Sequence, residues 1–164
     1  MIDLENLRRN SGISLDRDGR FHHEGSPIEN DRIQTLFRAS LEVREDGEVL
    51  LRVGKQWCYV QCEGVALFVR SVCMRQGEGL ELTLSDDSRE ILKNNSLRIV
   101  GDNDLYCVVK EGFLNARFLR GAYHQVAAFF EDASNEGPEA CVLRLGEQRS
   151  AVTTLDQPPG ITFR

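Results

Sequence analysis

Val49-Leu-Leu-Arg-Val-Gly-Lys-Gln56 and Cys141-Val-Leu-Arg-Leu-Gly-Glu-Gln148 are one strand-and-turn pattern written twice, with Leu, Arg, Gly and Gln identical at an offset of 92 residues. Each runs through apolar residues into a glycine, the signature of a strand meeting a turn. A single short match arises by chance in any chain of this length. Here an offset of 93 also lays Asp18-Gly19 on Glu111-Gly112, and Ile33, Leu36 and Phe37 on Val126, Phe129 and Phe130. Turn, helix face and strand recur in one order at nearly constant spacing, which internal duplication explains.

Working outward, Ile13–His23 alternates around Asp18-Gly19, the short-range pattern of a β-hairpin. Ser26-Pro-Ile-Glu29 reads as a capping box with proline at the first helical position. It predicts a helix over about 27–42 whose inner face is Ile33, Leu36, Phe37 and Leu41. Strands are expected at 48–53, 56–63, 65–74, 80–84 and 96–100, with 89–93 ambiguous. The second half repeats the plan, with a hairpin at 105–110 and 113–118, a helix at 120–132 ended by Asn135–Pro138, and a strand at 141–145. The expected fold is α+β: two β-rich subdomains, each an antiparallel sheet or half-barrel with one main helix. Its divisions are an N-terminal segment 1–11, units 12–84 and 85–155, and a tail 156–164. Asp156-Gln-Pro-Pro-Gly160 cannot continue a sheet interior, so the tail is expected to fray, or else to pack on a neighbour.

Bulk composition narrows the function. Hydrophobic residues make up 41% and charged residues 28%, a globular balance. Residues 1–82 hold 11 basic and 14 acidic side chains and residues 83–164 hold 9 and 12, so each half carries −3. Phosphate neutralisation supplies most duplex affinity, and neither half has the basic excess for it. Duplex nucleic acid is therefore not an expected partner, whereas a small anion held by a few arginines is. No apolar run approaches the about 20 residues of a membrane helix, and Met1–Asn10 lacks a signal-peptide apolar core. No membrane association is expected, and the cytoplasm is the expected location. Cys58, Cys62, Cys73, Cys107 and Cys141 form an odd set without a C-x-x-C pair, and Cys58 and Cys62 would lie about 13 Å apart along one strand. They read as small buried hydrophobes, with a redox-sensing thiol as the alternative.

Gly19-Arg-Phe-His-His-Glu-Gly25 resembles the G-x-W-x-H-E-G hairpin of the bacterial domain-of-unknown-function family 1285. Ile33-Gln-Thr-Leu-Phe-Arg-Ala-Ser-Leu41 is similar to its helix, Ser96-Leu-Arg-Ile-Val100 to its "PLRV" strand, and Tyr106–Val126 to its "YxxVRxGLEARxxRxVYYEL" stretch. The resemblance covers about residues 12–155. Phe21 stands for the family's tryptophan, Ser96 for its proline and His124 for its second tyrosine, while Gly54-Lys-Gln56 replaces a "TPVE" segment. That pattern fits a distant member. The resemblance implies a duplicated core, a second half loosely like pleckstrin-homology folds, a site between the halves for a nucleotide-like ligand, and a role in signalling. It brings no catalytic residues.

His22-His23-Glu24 invites a metal reading, but neighbours on a strand point to opposite faces, so no metal or cofactor is expected. His23 instead reads as a pocket or hairpin residue. No G-x-S-x-G elbow or phosphate-cradling loop occurs. The ligand-binding set is Arg20, His23, Trp57, Arg117, Arg120, Tyr123 and His124: planar guanidinium groups suit carboxylate or phosphate, and the aromatic rings can stack. Surface pairing with the surplus acids is the plainer role for any single arginine. The expected function is a non-enzymatic ligand-sensing or interaction module for a small anionic or nucleotide-like ligand, or for a protein partner. The alternatives are a structural or oligomerising protein, and a small hydrolase using His23 or His124.

Overall fold

The computed structural model describes residues 1–101, 104–133, 135 and 141–163. It is α+β and dominated by antiparallel sheets. The chain divides into two compact units, Met1–Ala66 and Leu67–Arg164. The division falls ahead of the expected 84/85 boundary. The reason is β8 (Leu67–Arg75) and β9 (Gly79–Leu84), which join the sheet of the later hairpin through parallel pairing of Leu67, Phe68 and Val69 with Ala116, Arg117 and Phe118.

The first unit runs α1 (Leu4–Arg9), β1 (Ile13–Leu15), β2 (Phe21–His23), β3 (Ser26–Pro27), α2 (Asp31–Ala39), β4 (Leu41–Val43), β5 (Val49–Val53), β6 (Gln56–Tyr59) and β7 (Gln61–Cys62). The expected hairpin is present, with Leu15 opposite Phe21. Its loop turns at Gly19, φ 82, while the Asp16 carboxylate accepts the Asp18 and Arg20 N–H groups at 2.9 Å each. The sheet order is β3-β2-β1-β7, with β7 parallel to β1; β4, β5 and β6 form an antiparallel meander.

The capping box is corrected by the structure. Glu24 and Gly25, at φ 49 and 83, make a two-residue turn of the kind that favours hairpins, and His23 then pairs with Ser26 and His22 with Pro27. Asn30 is the real cap, its Oδ1 accepting from the Arg32 and Ile33 N–H groups. The helix ends at Ala39 because Leu41–Val43 is taken into pairing with β5.

The helix face also differs. Ile33 and Leu36 are exposed, and the residue buried beneath α2 is Gln34. Its Oε1 accepts the Phe21 N–H at 2.9 Å, and its Nε2 donates to the Phe21 and Ile28 carbonyls at 2.9 Å each. One side-chain amide thus satisfies backbone groups that the irregular β2–β3 turn leaves without strand partners, which apolar contact could not do. Phe37 packs edge-on against Phe21 with centroids 5.4 Å apart. Leu15, Phe21, Val49, Leu50 and Leu51 are all buried.

The second unit continues with β10 (Arg89–Ile91), a 3-10 turn (Asn94–Ser96), β11 (Arg98–Val100), β12 (Asp104–Val109), β13 (Leu114–Phe118), α3 (Arg120–Ala127), β14 (Phe130–Asp132), β15 (Cys141–Leu145), β16 (Gln148–Ala151) and β17 (Thr153–Leu155). Its main sheet has the order β10-β9-β8-β13-β12-β11-β17, and β14, β15 and β16 form a second meander. α3 buries Ala122 and Val126, and its Gln125 Oε1 accepts the Val72 N–H at 2.7 Å. The predicted helix over 120–132 stops at Ala127, since Phe130–Asp132 pairs with Cys141–Leu143. Of its expected terminator, residues 136–138 lie outside the described residues.

Residues 160–163 of the tail do not fray. Thr162 bridges Leu114 within the same unit, and Asn115 N–H donates to the Ile161 carbonyl at 3.0 Å. No helix among the described residues is long and apolar enough to cross a membrane.

Replacing Gln34 with leucine keeps the volume but orphans the Phe21 N–H and the Ile28 carbonyl, while the Phe21 carbonyl keeps the Ile28 N–H. Unsatisfied buried groups cost about 1–3 kcal/mol each, so urea denaturation of Gln34→Leu is expected to show a loss of at least ~2 kcal/mol. A midpoint at or above the parent's would contradict this role.

Candidate functional site

The seven residues singled out from sequence divide between the units. Arg20, His23 and Trp57 belong to the first; Arg117, Arg120, Tyr123 and His124 belong to the second. Arg20 and His23 are exposed at the two ends of β2. The more engaged imidazole is His22, whose Nε2 lies 2.7 Å from Asp16 Oδ2, so His23 is not the residue that ties this hairpin. In the second unit Arg117 donates to Asp104 Oδ1 at 2.8 Å, the surface pairing that competes with ligand binding. Arg120 and His124 are exposed on α3, and Tyr123 meets His124 edge-on at 6.1 Å.

Trp57 stands apart. It shares a face of β6 with Tyr59, centroids 5.4 Å apart, and α1 lies across that face. The Arg8 guanidinium carbon sits 4.1 Å from the Trp57 ring centroid, and that of Arg9 sits 4.1 Å from Tyr59. Arg52, on β5, approaches Trp57 at 5.8 Å, and Arg44 reaches the Tyr59 hydroxyl at 3.4 Å. A guanidinium over an aromatic face is held by the ring quadrupole, worth about 0.5–2 kcal/mol.

The four cations are not equivalent. Arg9 is paired with Glu5 and Glu48, Arg44 with Asp46, and Arg52 with Glu42. Arg8 has no carboxylate or hydrogen-bond acceptor among the described residues. The ring contact holds its guanidinium carbon in place and leaves N–H donors for a carboxylate or phosphate, which guanidinium groups can bind bidentately. The sequence holds one tryptophan, and it lies under this arginine. In the sequence the stretch Met1–Asn10 is notable only for lacking a signal-peptide apolar core. Adjacent Arg8-Arg9 and the Trp57-x-Tyr59 alternation were the available signs, but joining them requires the tertiary contact.

A second polar cluster escaped the sequence reading. Lys110 Nζ donates to Asp86 Oδ2 at 2.8 Å and to Ser88 Oγ at 2.7 Å, and Ser88 Oγ donates to Asp86 Oδ1 at 2.5 Å. Asp87, Lys110 and Glu111 hold φ of 68, 54 and 57, a conformation side chains rarely adopt. The Lys110 N–H this exposes donates to both oxygens of Glu90. The adjoining groove, about 630 Å³, is lined by Glu90, Lys93, Lys110 and Glu111. Its charges balance and Lys110 is already committed to Asp86 and Ser88, so it favours an anion less than Arg8 does. Among the described residues no group of three or more His, Cys, Asp or Glu is placed to hold a metal.

The thiols behave as their settings dictate. Burial pushes Cys62 up to about 12 and raises Cys107 further, which suppresses their thiolates. Cys73 is exposed, unlike the buried hydrophobes expected of the set.

Comparison with solved structures places this architecture. A DUF1285 family protein from Silicibacter pomeroyi DSS-3 aligns with a TM-score of 0.61 at 19% identity, covering 88% of this chain and 80% of that one. A DUF1285 family protein from Shewanella baltica OS155 aligns with a TM-score of 0.53 at 17% identity, covering 70% and 88%. Its fold is that of the DUF1285 proteins. The resemblance read from Gly19–Gly25, Ile33–Leu41, Ser96–Val100 and Tyr106–Val126 agrees with that likeness. No family model matches the chain, and no curated protein matches it.

The Asp86 cluster makes a pH prediction. Burial pushes its carboxyl up, but hydrogen bonds from Lys110 and Ser88 outweigh it and hold the group below its usual 3.8. A carboxyl depressed by folding stabilises fully above its unfolded value, and that contribution is lost as pH falls through the folded value. Asp86→Asn should therefore be less stable than the parent at neutral pH, with the gap closing from about 3.8 downward. Urea midpoints across that range check this; a gap that stays constant into strong acid would exclude it.

Proposed function

We propose that this DUF1285-like chain is a non-enzymatic ligand-sensing or interaction module of bacterial signalling that takes up a small anion at Arg8 and Trp57. The anion carries phosphate or carboxylate, as a nucleotide-like ligand does. One observation carries the reading: Arg8 is stacked at 4.1 Å on Trp57 with no carboxylate opposite it among the described residues, while Arg9, Arg44 and Arg52 around it are each paired. An arginine without an acid in a chain of net charge −6 is a place where an added anion gains most. This site lies wholly on the first unit, in place of one shared between two. His23 and His124, on which a hydrolase reading rests, are exposed side chains, which favours binding over catalysis.

The duplication belongs to the same proposal. The order hairpin, helix, antiparallel meander occurs as β1-β2, α2, β4-β5-β6 and again as β12-β13, α3, β14-β15-β16. Gln34 on α2 and Gln125 on α3 both accept a backbone N–H. Divergence after duplication accounts for a ligand site on one copy only. The pleckstrin-homology-like character of the second half rests on the sequence resemblance.

Trp57 is its own reporter. Titrating phosphate, pyrophosphate and nucleoside mono- and triphosphates should change its emission and raise the melting temperature. Arg8→Ala should weaken binding about tenfold or more, as expected for losing one charge-assisted hydrogen bond, with circular dichroism unchanged. Emission and melting temperature indifferent to all these anions at millimolar concentration would sink the proposal.

A further inference from the structure

Within the main sheet of the second unit, one side of the interior strand β13 is only partly covered by its neighbour. β12 borders β13 along Leu114–Arg117, but on the other side β8 reaches only Ala116–Phe118. Phe113 and Asn115 thereby turn backbone groups to that side without a partner from β8, and an unpaired edge is a template for another strand. Segment 160–163 fills it. Asn115 N–H donates to the Ile161 carbonyl at 3.0 Å, Phe163 N–H donates to the Phe113 carbonyl at 2.9 Å, and Leu114 lies antiparallel to Thr162.

Asn115 makes this edge a built site. Its side chain is 2% exposed and its Nδ2 donates to the Gly160 carbonyl at 2.8 Å and the Thr162 carbonyl at 3.0 Å. With its own N–H on Ile161, one residue reads three successive carbonyls. Its Oδ1 accepts from Arg98, whose guanidinium lies 5.0 Å from the Phe163 ring centroid. All the hydrogen bonds to the segment named here go to its main chain. None of Gly160, Ile161, Thr162 and Phe163 is buried, and Phe163 is 48% exposed.

We infer that the Arg98–Asn115 edge of β13 is a receptor for an extended peptide strand, and that its occupant exchanges between two copies of this chain. Segment 160–163 of a second copy meets identical donors and acceptors, so no new contact has to be designed for exchange. Only the linker decides between the two arrangements. That linker is Asp156-Gln157-Pro158-Pro159, between β17 and Gly160. Its prolines fix φ, lack N–H donors and favour extended chain, which works against folding back. Asp156, Gln157 and Pro158 are exposed, so straightening the linker uncovers no core there. Reciprocal exchange closes into a two-fold dimer, with the open side of β13 filled in both copies.

The test uses the full chain. Phe113 and Phe163 stand opposite one another in the pairing, and Phe113→Cys with Phe163→Cys allows oxidation to report which chain supplies the strand. The parent, with its own free cysteines, is oxidised in parallel as a control. After refolding near ~1 mM, where short flexible tethers lose their advantage, the double variant should run as a covalent dimer on a non-reducing gel. Refolding at about a thousandth of that should return a cross-linked monomer. Light scattering of the unmodified protein should show the dimer mass at high concentration. A synthetic peptide Pro-Pro-Gly-Ile-Thr-Phe in excess should lower that mass to the monomer's, and Asn115→Ala should abolish the dimer while circular dichroism is retained. Monomer mass at every concentration, with intramolecular cross-links alone, would overturn the inference. So would a protein that is monomeric at every concentration without peptide yet binds the peptide in trans, since the edge would then serve a strand from a different protein.

Discussion

The first unit depends on one side-chain amide. Gln34 reaches down from α2 and binds the backbone of Phe21 on both its N–H and its carbonyl, with the Ile28 carbonyl as a third partner. The chain between β2 and α2 is irregular: a tight turn at Glu24-Gly25, a two-residue strand, then a cap at Asn30. Such a path leaves polar backbone groups facing the core, and burying them unpaired would cost more than the hydrophobic contacts around Phe21 return. Gln34 removes that cost and sets how far the helix stands from the hairpin. With that distance set, Phe37 can meet Phe21 edge-on.

This constraint explains where the sequence was legible. The hairpin at Asp18-Gly19, the strand at Val49–Val53 and its counterpart at Cys141–Leu145 follow from local turn chemistry and alternation. The helix boundaries were not local. Ser26-Pro27 has the chemistry of a helix start, yet cross-strand pairing with His22 and His23 claims it. Phe130 continues a helical apolar spacing, yet pairing with Leu143 claims it for a strand. Ile33 and Leu36 look like an inner face, and only the position of Gln34 shows that the helix is turned the other way.

The site was partly legible for the same reason. In the sequence Trp57 stands out as an aromatic ring able to stack on a ligand, and Arg117 as a guanidinium suited to an anion. The structure separates them by their partners: Asp104 occupies Arg117, while Trp57 is covered by an arginine roughly fifty residues earlier in the chain. Charge bookkeeping along a sequence cannot tell a neutralised cation from one that is merely stacked. The segment 160–163 failed in the opposite direction. Its prolines do bar a sheet interior, but they deliver the following residues to an edge, where Asn115 waits.

Helix α1 is attached in an unusual sense. It buries none of its own residues: Leu4 and Leu7 are 62% and 59% exposed, while Arg8 and Arg9 face the aromatic rings of β6. Hydrophobic elements that detach expose apolar area and announce it through a positive heat-capacity change. This helix lifts away with a small signature, because the apolar area it uncovers is limited to the ring faces of Trp57 and Tyr59. Its opening belongs at the low-free-energy end of the molecule's motions, nearly silent to calorimetry. Its attachment rests on guanidinium–ring contacts and on the Arg9–Glu48 ion pair, so the order of the first ten residues follows ionic strength as well as apolar burial.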